Sequence, residues 1–581
     1  MAKLKGAEII LECLAREGVE VVFGVPGGAN LPLYDYLRKY PQIRHVLVRH
    51  EQAASHAADA YARVTGKVGV CFATSGPGAT NLITGIANAQ LDSVPMVCIT
   101  GQVVSPNIGK DAFQETDMTG ISLPVTKHNY LVMDGEDLAP VMREAFHIAR
   151  TGRPGPVLVD VPRDIQQQEY EFHWPERVSL LGYKPTLDGH PTQIKKAARL
   201  INEAERPLII AGHGVIIAGA EAELRQLAER AQIPVTTTLL GIGGFPAHHV
   251  LDLGMTGMHG MAWANLALVH CDVMVAIGMR MDDRVTGKTS AFASQATIIH
   301  IDIDPAEIGK NVRAHVPIVG DARHVLKALL KEVEHRTHAE WLAQFDTWRR
   351  DHPSIAIRET EEMLPTYVVR EIYEATKGEA FVTTGVGQHQ MWAAQFYRFV
   401  HSKRWVTSGG VGTMGFGLPA ALGVQAAFPD APVWVIDGDG SFQMTLQELA
   451  TVAQEKMPIK VAILNNGFLG MVRQWQELFY DRNYAATPMF NPDYVKLAEA
   501  FGLAGRRVER KEDVRGAIEW AMETPGCVIL DFAVAPEENV YPMIPSGATV
   551  HDMIEEPAPA RIELPGRSKE ETPAWPVPST R

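Results

Sequence analysis

Val433-Trp434-Val435-Ile436-Asp437-Gly438-Asp439-Gly440-Ser441 and, further on, Lys460-Val461-Ala462-Ile463-Leu464-Asn465-Asn466 are two apolar runs that each end in polar residues. Runs this short, apolar and without alternation read as strands buried on both faces of a parallel sheet. In open parallel sheets, ligands collect beyond the carboxyl ends of the strands. The Gly-Asp-Gly turn and the Asn pair, 466 − 439 = 27 residues apart, therefore stand where a ligand would sit. A Mg2+ ion wants near-octahedral oxygen ligands and takes phosphate oxygens plus one or two side chains. Asp439 offers a carboxylate oxygen, Asn466 an amide oxygen and Phe468 a backbone carbonyl. Gly438 and Gly440 would let the backbone, with Ser441, come close to phosphates. The competing reading is a tight turn and a chance Asn pair.

Outward from this stretch, short β-branched runs alternate with helical stretches, the pattern of βαβ units. Three blocks emerge, at 1–180, 190–345 and 365–545, with a tail over 546–581. The expected class is α/β, with three doubly wound parallel-sheet domains. Strands are expected in the first block at Val46–Val48, Val68–Ala73, Met96–Thr100 and Pro156–Val161. The second should carry Leu208–Ala211, Val235–Thr238, Val273–Ile277 and Ile298–Ile303, and the third Phe381–Thr384 and Cys527–Phe532 besides the two runs above. Pro175, Pro185 and Pro191 mark a linker, and prolines from Pro557 onward mark the tail. The second block has Gly212-His213-Gly214 and then Gly219, the wrong spacing for a nicotinamide fingerprint. The first and third blocks share a layout of alanine-rich helix, strand, glycine turn and helix, which fits either a duplication or the general likeness of α/β domains.

The net charge is −14, from 54 basic and 68 acidic side chains. A nucleic-acid partner, whose phosphates need a basic face, is therefore not expected. Five scattered cysteines without a CxxC pair read as buried thiols in a reducing compartment. With no signal-peptide core or apolar run near the ~20 residues of a bilayer span, the expectation is a cytoplasmic protein without a membrane partner.

The Gly-Asp-Gly and Asn-Asn stretch resembles the cofactor motif of the thiamine-diphosphate enzymes that include acetolactate synthase, pyruvate oxidase and glyoxylate carboligase. Four further stretches are similar to the FAD-containing acetolactate synthase branch. They are Gly24-Val25-Pro26-Gly27-Gly28, Gly109-Lys110-Asp111-Ala112-Phe113-Gln114-Glu115, Gly278 to Gly287, and Leu469-Gly470-Met471-Val472-Arg473-Gln474-Trp475. The resemblance implies thiamine diphosphate, Mg2+ and FAD as cofactors, with pyrimidine-binding, central FAD-binding and diphosphate-binding domains in that order. It implies decarboxylation of pyruvate and transfer of the hydroxyethyl unit to pyruvate or 2-ketobutyrate, for branched-chain amino-acid biosynthesis. The alternatives are a flavin-dependent 2-keto acid oxidase or another carboligase of the family.

The same resemblance assigns roles residue by residue. Asp439, Asn466 and Phe468 would hold the metal; Val386, Gly387, Gln388, His389, Gly440 and Ser441 the diphosphate. Gly412 and Met414 would hold the pyrimidine edge, with Met444 beneath the bent cofactor, although on composition alone Met444 reads as core. Glu51 would hydrogen-bond the pyrimidine ring; without the family it is a carboxylate favoured in a helix first turn. Gly28 and Gln114 would face the developing alkoxide, with Phe113 and Met471 as apolar wall. Arg284 would fork onto the second acid's carboxylate, and Trp475 would shape the acceptor pocket. Read alone, Arg284 could be a surface ion pair with its acidic neighbours and Trp475 could be core. Arg153, Gly257, Met258, His259, Gly278, Arg280, Asp302 and Asp304 would contact FAD. The resemblance further implies a homodimer or homotetramer with active sites between chains, and a possible small regulatory subunit.

Overall fold

The structure, a computed structural model, describes residues 3–555. Three six-stranded sheets form its frame, and every pairing within them is parallel. This is the α/β, triply doubly wound architecture that the alternating pattern predicts. The proline-rich stretch from Pro557 onward lies outside the described residues. No helix among the described residues is long and apolar enough to cross a membrane. All five cysteines are free and buried.

The first sheet runs in the order Arg44–Leu47, Val21–Gly24, Gly69–Ala73, Met96–Gln102, Pro156–Pro162, His128–Leu131. The third runs Trp405–Val406, Phe381–Thr384, Val433–Gly438, Lys460–Asn465, Val528–Ala533, Ala504–Val508. Numbered within each sheet, both read 2-1-3-4-6-5. The shared layout seen in the sequence is thus a shared topology, which favours the duplication reading. The middle sheet is different: Asp252–Met255, Val235–Thr237, Pro207–Ala211, Val273–Ile277, Thr297–Asp302, Val316–Val319, which is 3-2-1-4-5-6. That is the strand order of dinucleotide-binding domains, found here without their glycine fingerprint.

The expected strands are all present, Val273–Ile277 and Phe381–Thr384 with the expected bounds and the others within two residues at their ends. The strands that the sequence reading did not place are mostly edges. Ala504–Val508, for example, contains Gly505 and two exposed arginines, so it lacks the apolar run that marks a central strand.

The outer domains meet through two alanine-rich helices, Glu51–Thr65 and Gly417–Ala427, which share one apolar core. Alanines keep the helices thin enough for backbone approach. At the crossing a Cβ on Gly423 would stand 2.0 Å from the Ala57 carbonyl oxygen, so only glycine fits there. The first helix begins at a fixed point: the His50 ring accepts from Gln52 N. It ends on Gly66 at φ 75°, a left-handed C-cap that glycine adopts without strain.

Candidate active site

The strand order of the third sheet reverses between Phe381–Thr384 and Val433–Gly438, and the helices that follow these two parallel strands open a crevice at their carboxyl ends. This switch point is where doubly wound sheets hold ligands. Into it come Val386, Gly387, Gln388 and His389 after the first strand, Asp439, Gly440 and Ser441 after the second, and Asn466 and Phe468 after Lys460–Asn465. Together with Met414 they line a small cavity of about 50 Å3. Gln388 opens the helix Gln388–Phe396, whose N-terminal N–H groups are a ready anion site.

Asp439 is 1% exposed, and burial pushes its carboxyl up to about 6. Its Oδ2 accepts from Asn491 Nδ2 at 2.6 Å and Gly467 N at 3.1 Å. Asn466 Oδ1 accepts from Phe468 N at 3.1 Å, and its amide donates to Gln388 Oε1 at 3.2 Å. Asn465, by contrast, bonds Asp531 and Asn491; of the Asn pair, Asn466 is the one lining the cavity. His389 Nε2 stands 3.1 Å from Asp437 Oδ1, out of line for a hydrogen bond, and Asp437 Oδ2 has no partner. A buried carboxylate short of charge compensation, amide and carbonyl oxygens, and helix N–H groups are the donor set for one divalent cation shared with phosphate oxygens. No cluster of three or more His, Cys, Asp or Glu suited to a metal exists among the described residues, so the cation would need the phosphates to complete its shell. The residues fit a metal-bridged diphosphate. Asn491 lies 52 residues beyond Asp439 in a loop, and no local spacing announces it.

The small cavity meets a far larger one at Val386, Gly387 and Met471. The larger cavity is about 1020 Å3, at the top of the ~300–1,000 Å3 range of ligand pockets. Its lining includes Gly412, Met471, Trp475 and Arg284 together with Arg153, Met258, His259, Gly278, Arg280 and Asp302. Gly278 and Gly214 sit at the switch point of the middle sheet with their backbones in contact, a Cβ on Gly278 reaching 2.6 Å from the Gly214 Cα. Asp302 ends its strand, and burial raises its carboxyl to about 6. A buried acid on the lining of this cavity is an acceptor for a ribose hydroxyl. The cavity's size, the strand order and Asp302 fit a flavin dinucleotide. Gly257 and Asp304 stand behind the wall: Gly257 N donates to Asn265 Oδ1, and Asp304 Oδ2 accepts from Arg153 at 3.3 Å. Arg153 also donates to Glu307 at 2.8 Å, a partner the sequence reading missed.

Two readings from composition alone, Met444 and Trp475 as core, are corrected by exposure, and a third, Arg284 as a surface ion pair, is seen in part. Met444 is not core: it is 53% exposed, beside Gly415. Trp475 is only half-buried and lies edge-to-face with Phe479; it lines the cavity together with Met471, one helical turn away. Arg284, 58% exposed at its side chain, makes the expected surface ion pair with Asp283 at a loose 3.8 Å and also donates to the Met258 sulfur at 3.7 Å, while still lining the cavity.

Gly28, Glu51, Phe113 and Gln114 do not join either cavity. They lie together on the first domain. Glu51 opens its helix and its Oε2 accepts from Asn81 Nδ2 at 2.9 Å; Gln114, at φ 60°, packs on Gly76. Phe113 is 89% exposed. The chain therefore keeps these four residues outside the two cavities that the others line.

The chain matches three family descriptions in sequence: Thiamine pyrophosphate enzyme, N-terminal TPP binding domain, over residues 4–121; central domain, over 194–329; and C-terminal TPP binding domain, over 385–532. It is 51% identical over 562 residues to the acetolactate synthase large subunit of Mycobacterium tuberculosis, covering 94% of this chain and 91% of the relative. To the large subunit of Corynebacterium glutamicum it is 50% identical over 563 residues, covering 95% and 90%. To the chloroplastic acetolactate synthase 3 of Brassica napus it is 48% identical over 569 residues, covering 95% and 87%.

Proposed function

The chain belongs to the acetolactate synthase branch of the thiamine pyrophosphate enzymes, and from that premise we propose how its two half-sites perform the reaction. Its reaction is acetolactate synthesis: pyruvate loses carbon dioxide, and the two-carbon remainder is joined to the keto carbon of a second 2-keto acid. Bound thiamine diphosphate supplies the electron sink for the decarboxylation. The observation that carries the reading is the run of cavity from the Asp439 crevice, past Val386, Gly387 and Met471, to Trp475 and Arg284.

Asp439, Asn466 and the Phe468 carbonyl would hold Mg2+, and Val386, Gly387, Gln388, His389, Gly440 and Ser441 the diphosphate. Gly412 and Met414 would take the pyrimidine edge, and Met444 would meet the cofactor from below. Glu51, with Oε2 engaged by Asn81, keeps Oε1 for the pyrimidine ring nitrogen N1′, where it would hold and release a proton. Gly28 N and Gln114 would donate to the substrate oxygen as it gains charge, when preorganised donors matter most. Arg284 would bind the carboxylate of the second acid, and Trp475, Met471 and Phe113 would wall its alkyl group. Arg153, Gly257, Met258, His259, Gly278, Arg280, Asp302 and Asp304 would hold FAD in the middle domain.

The Glu51 and Asp439 halves belong to one site only if two copies of the chain assemble. Exposed apolar side chains support this: Phe113, Leu31 and Leu123 on the first domain, and Met444, Val472 and Phe490 on the third. Surfaces of this kind ask for a partner. A second copy placing its Glu51 half over the Asp439 half would cover both, giving a homodimer or a homotetramer of such pairs. A small regulatory subunit and a cytoplasmic location complete the reading.

The test is incubation with pyruvate, thiamine diphosphate and Mg2+, with and without FAD. Acetolactate should form with release of carbon dioxide. Pyruvate consumed without acetolactate, with anaerobic bleaching of the flavin, would instead make the protein an oxidase.

A further inference from the structure

The glycine loop 407–416 is not held by its own domain alone. The Asp92 carboxylate, on the first domain, accepts from Gly409 N at 2.9 Å and Gly410 N at 2.7 Å. The Asp92 Oδ2 that takes Gly409 N also accepts from Arg63 at 2.8 Å. Arg63, 5% exposed at its side chain, donates onward to Thr407 O at 3.1 Å and to Asp59. One helix turn before Asp92, Asn88 accepts from Ser408 Oγ at 2.6 Å, and Thr413 N donates to that same hydroxyl at 2.8 Å. The next residue, Ser93, accepts from Arg153 at 2.9 Å, and the Asp92 carbonyl lies 2.9 Å from the His213 ring on the middle domain.

Here a buried carboxylate spends both oxygens on two consecutive glycine N–H groups of another domain, some 317 residues away. Such bonds to a charged acceptor are short and strong. Two backbone N–H groups fixed from one carboxylate leave the glycine pair almost no freedom, and glycine pairs are otherwise the freest backbone there is. A Cβ at Gly410 would meet Leu91 at 2.7 Å, so the loop is pressed on this helix end.

We propose that Asp92, oriented by Arg63, is a positioning residue that sets the loop 409–414, and through Gly412 and Met414 the seat of the cofactor's pyrimidine ring. It makes the diphosphate half-site depend on the chain's own first domain, separately from any Glu51 supplied by a second copy. The inference rests on the reading that this loop seats thiamine diphosphate.

The experiment titrates thiamine diphosphate, with Mg2+ present, against the full-length enzyme by calorimetry or by quenching of tryptophan fluorescence, with Tm measured in parallel. Asp92→Asn keeps shape and one acceptor oxygen but loses the charge and the second acceptor. It should weaken cofactor binding by about tenfold or more, the scale of one charged hydrogen bond. Asp59→Asn breaks the same buried ion cluster one contact further out, because Asp59 reaches the loop only through Arg63 and Asn88. It should lower Tm while cofactor affinity stays within about threefold. Equal weakening in both variants, or unchanged affinity in Asp92→Asn, overturns the proposal. Gly412→Ala, at φ 70°, strains the loop directly. If it weakens the cofactor and Asp92→Asn does not, the role of Asp92 fails alone; if neither does, the loop reading fails with it. Should Asp92→Asn not fold, Asp92→Glu keeps the charge facing Arg63 but moves both oxygens off Gly409 N and Gly410 N. Weaker cofactor binding there sustains the proposal, and unchanged binding overturns it.

Discussion

The first and third domains wind six parallel strands in the same order, yet they put different chemistry at equivalent places. After its second strand, each sends a long helix to the shared core. In the first domain the connection is residues 48–50, and the helix opens on Glu51. In the third it is residues 407–416, a loop rich in glycine, before the helix from Gly417. After its third strand, the first domain turns through Ser75 and Gly76 into a helix at Pro77, whereas the third goes straight into a helix at Asp439. On the proposed reading, one half offers the Glu51 carboxylate to the pyrimidine ring, the other a backbone cradle and the carboxylate of the metal set. A fold repeated twice supplies positions, and the connections supply the chemistry.

This division predicts that the halves fail differently. The largest effect belongs to Asp439→Ala, which takes away the one carboxylate of the proposed metal set. Thiamine diphosphate affinity should fall by more than about 100-fold, beyond the usual cost of losing an outer partner of a ligand, with circular dichroism unchanged. An unaltered titration would remove the metal from this crevice. Glu51→Gln should bind the cofactor as the parent does but lose ~10²–10⁴ in kcat, the range of a general acid–base role. Activity within about threefold of the parent would take Glu51 out of the mechanism. Next comes Arg284→Ala, which should raise KM about 100-fold for either acceptor, as expected when a charged partner of a carboxylate is truncated, because both acceptors carry that carboxylate. A change confined to one acceptor would misplace it.

The smallest effect is one of selectivity. Trp475→Leu should lose about tenfold in preference for 2-ketobutyrate over pyruvate, the low end of what one methylene is worth in an apolar pocket, while still forming acetolactate. Competition between the two acids reads it directly, and an unchanged product ratio would return the indole to a packing role.

What the sequence made legible follows from range. Central strands announce themselves by apolar runs, and Asp439 and Asn466 by glycines and strand ends close in the chain. Edge strands such as Ala504–Val508 carry arginines and stay hidden. The dinucleotide-type order of the middle sheet was invisible too, since Gly212, Gly214 and Gly278 make their close approach from separate strands rather than from one motif. Asn81, Asn491 and Asp92 act across loops or domains, and no spacing encodes such contacts. That Glu51 and Asp439 belong to different copies is a reading that only the family resemblance, and no spacing in the chain, implies.

That separation is tested by co-expressing Glu51→Gln and Asp439→Ala chains, differently tagged, and purifying the mixed oligomer. If each site combines Glu51 of one copy with Asp439 of another, every mixed pair holds one intact site and one doubly altered site. Two inactive parents should then give about half the parental activity per mixed dimer, as two-fold symmetry requires. Mixed oligomers as inactive as either variant alone would place the whole site within one chain and contradict the account.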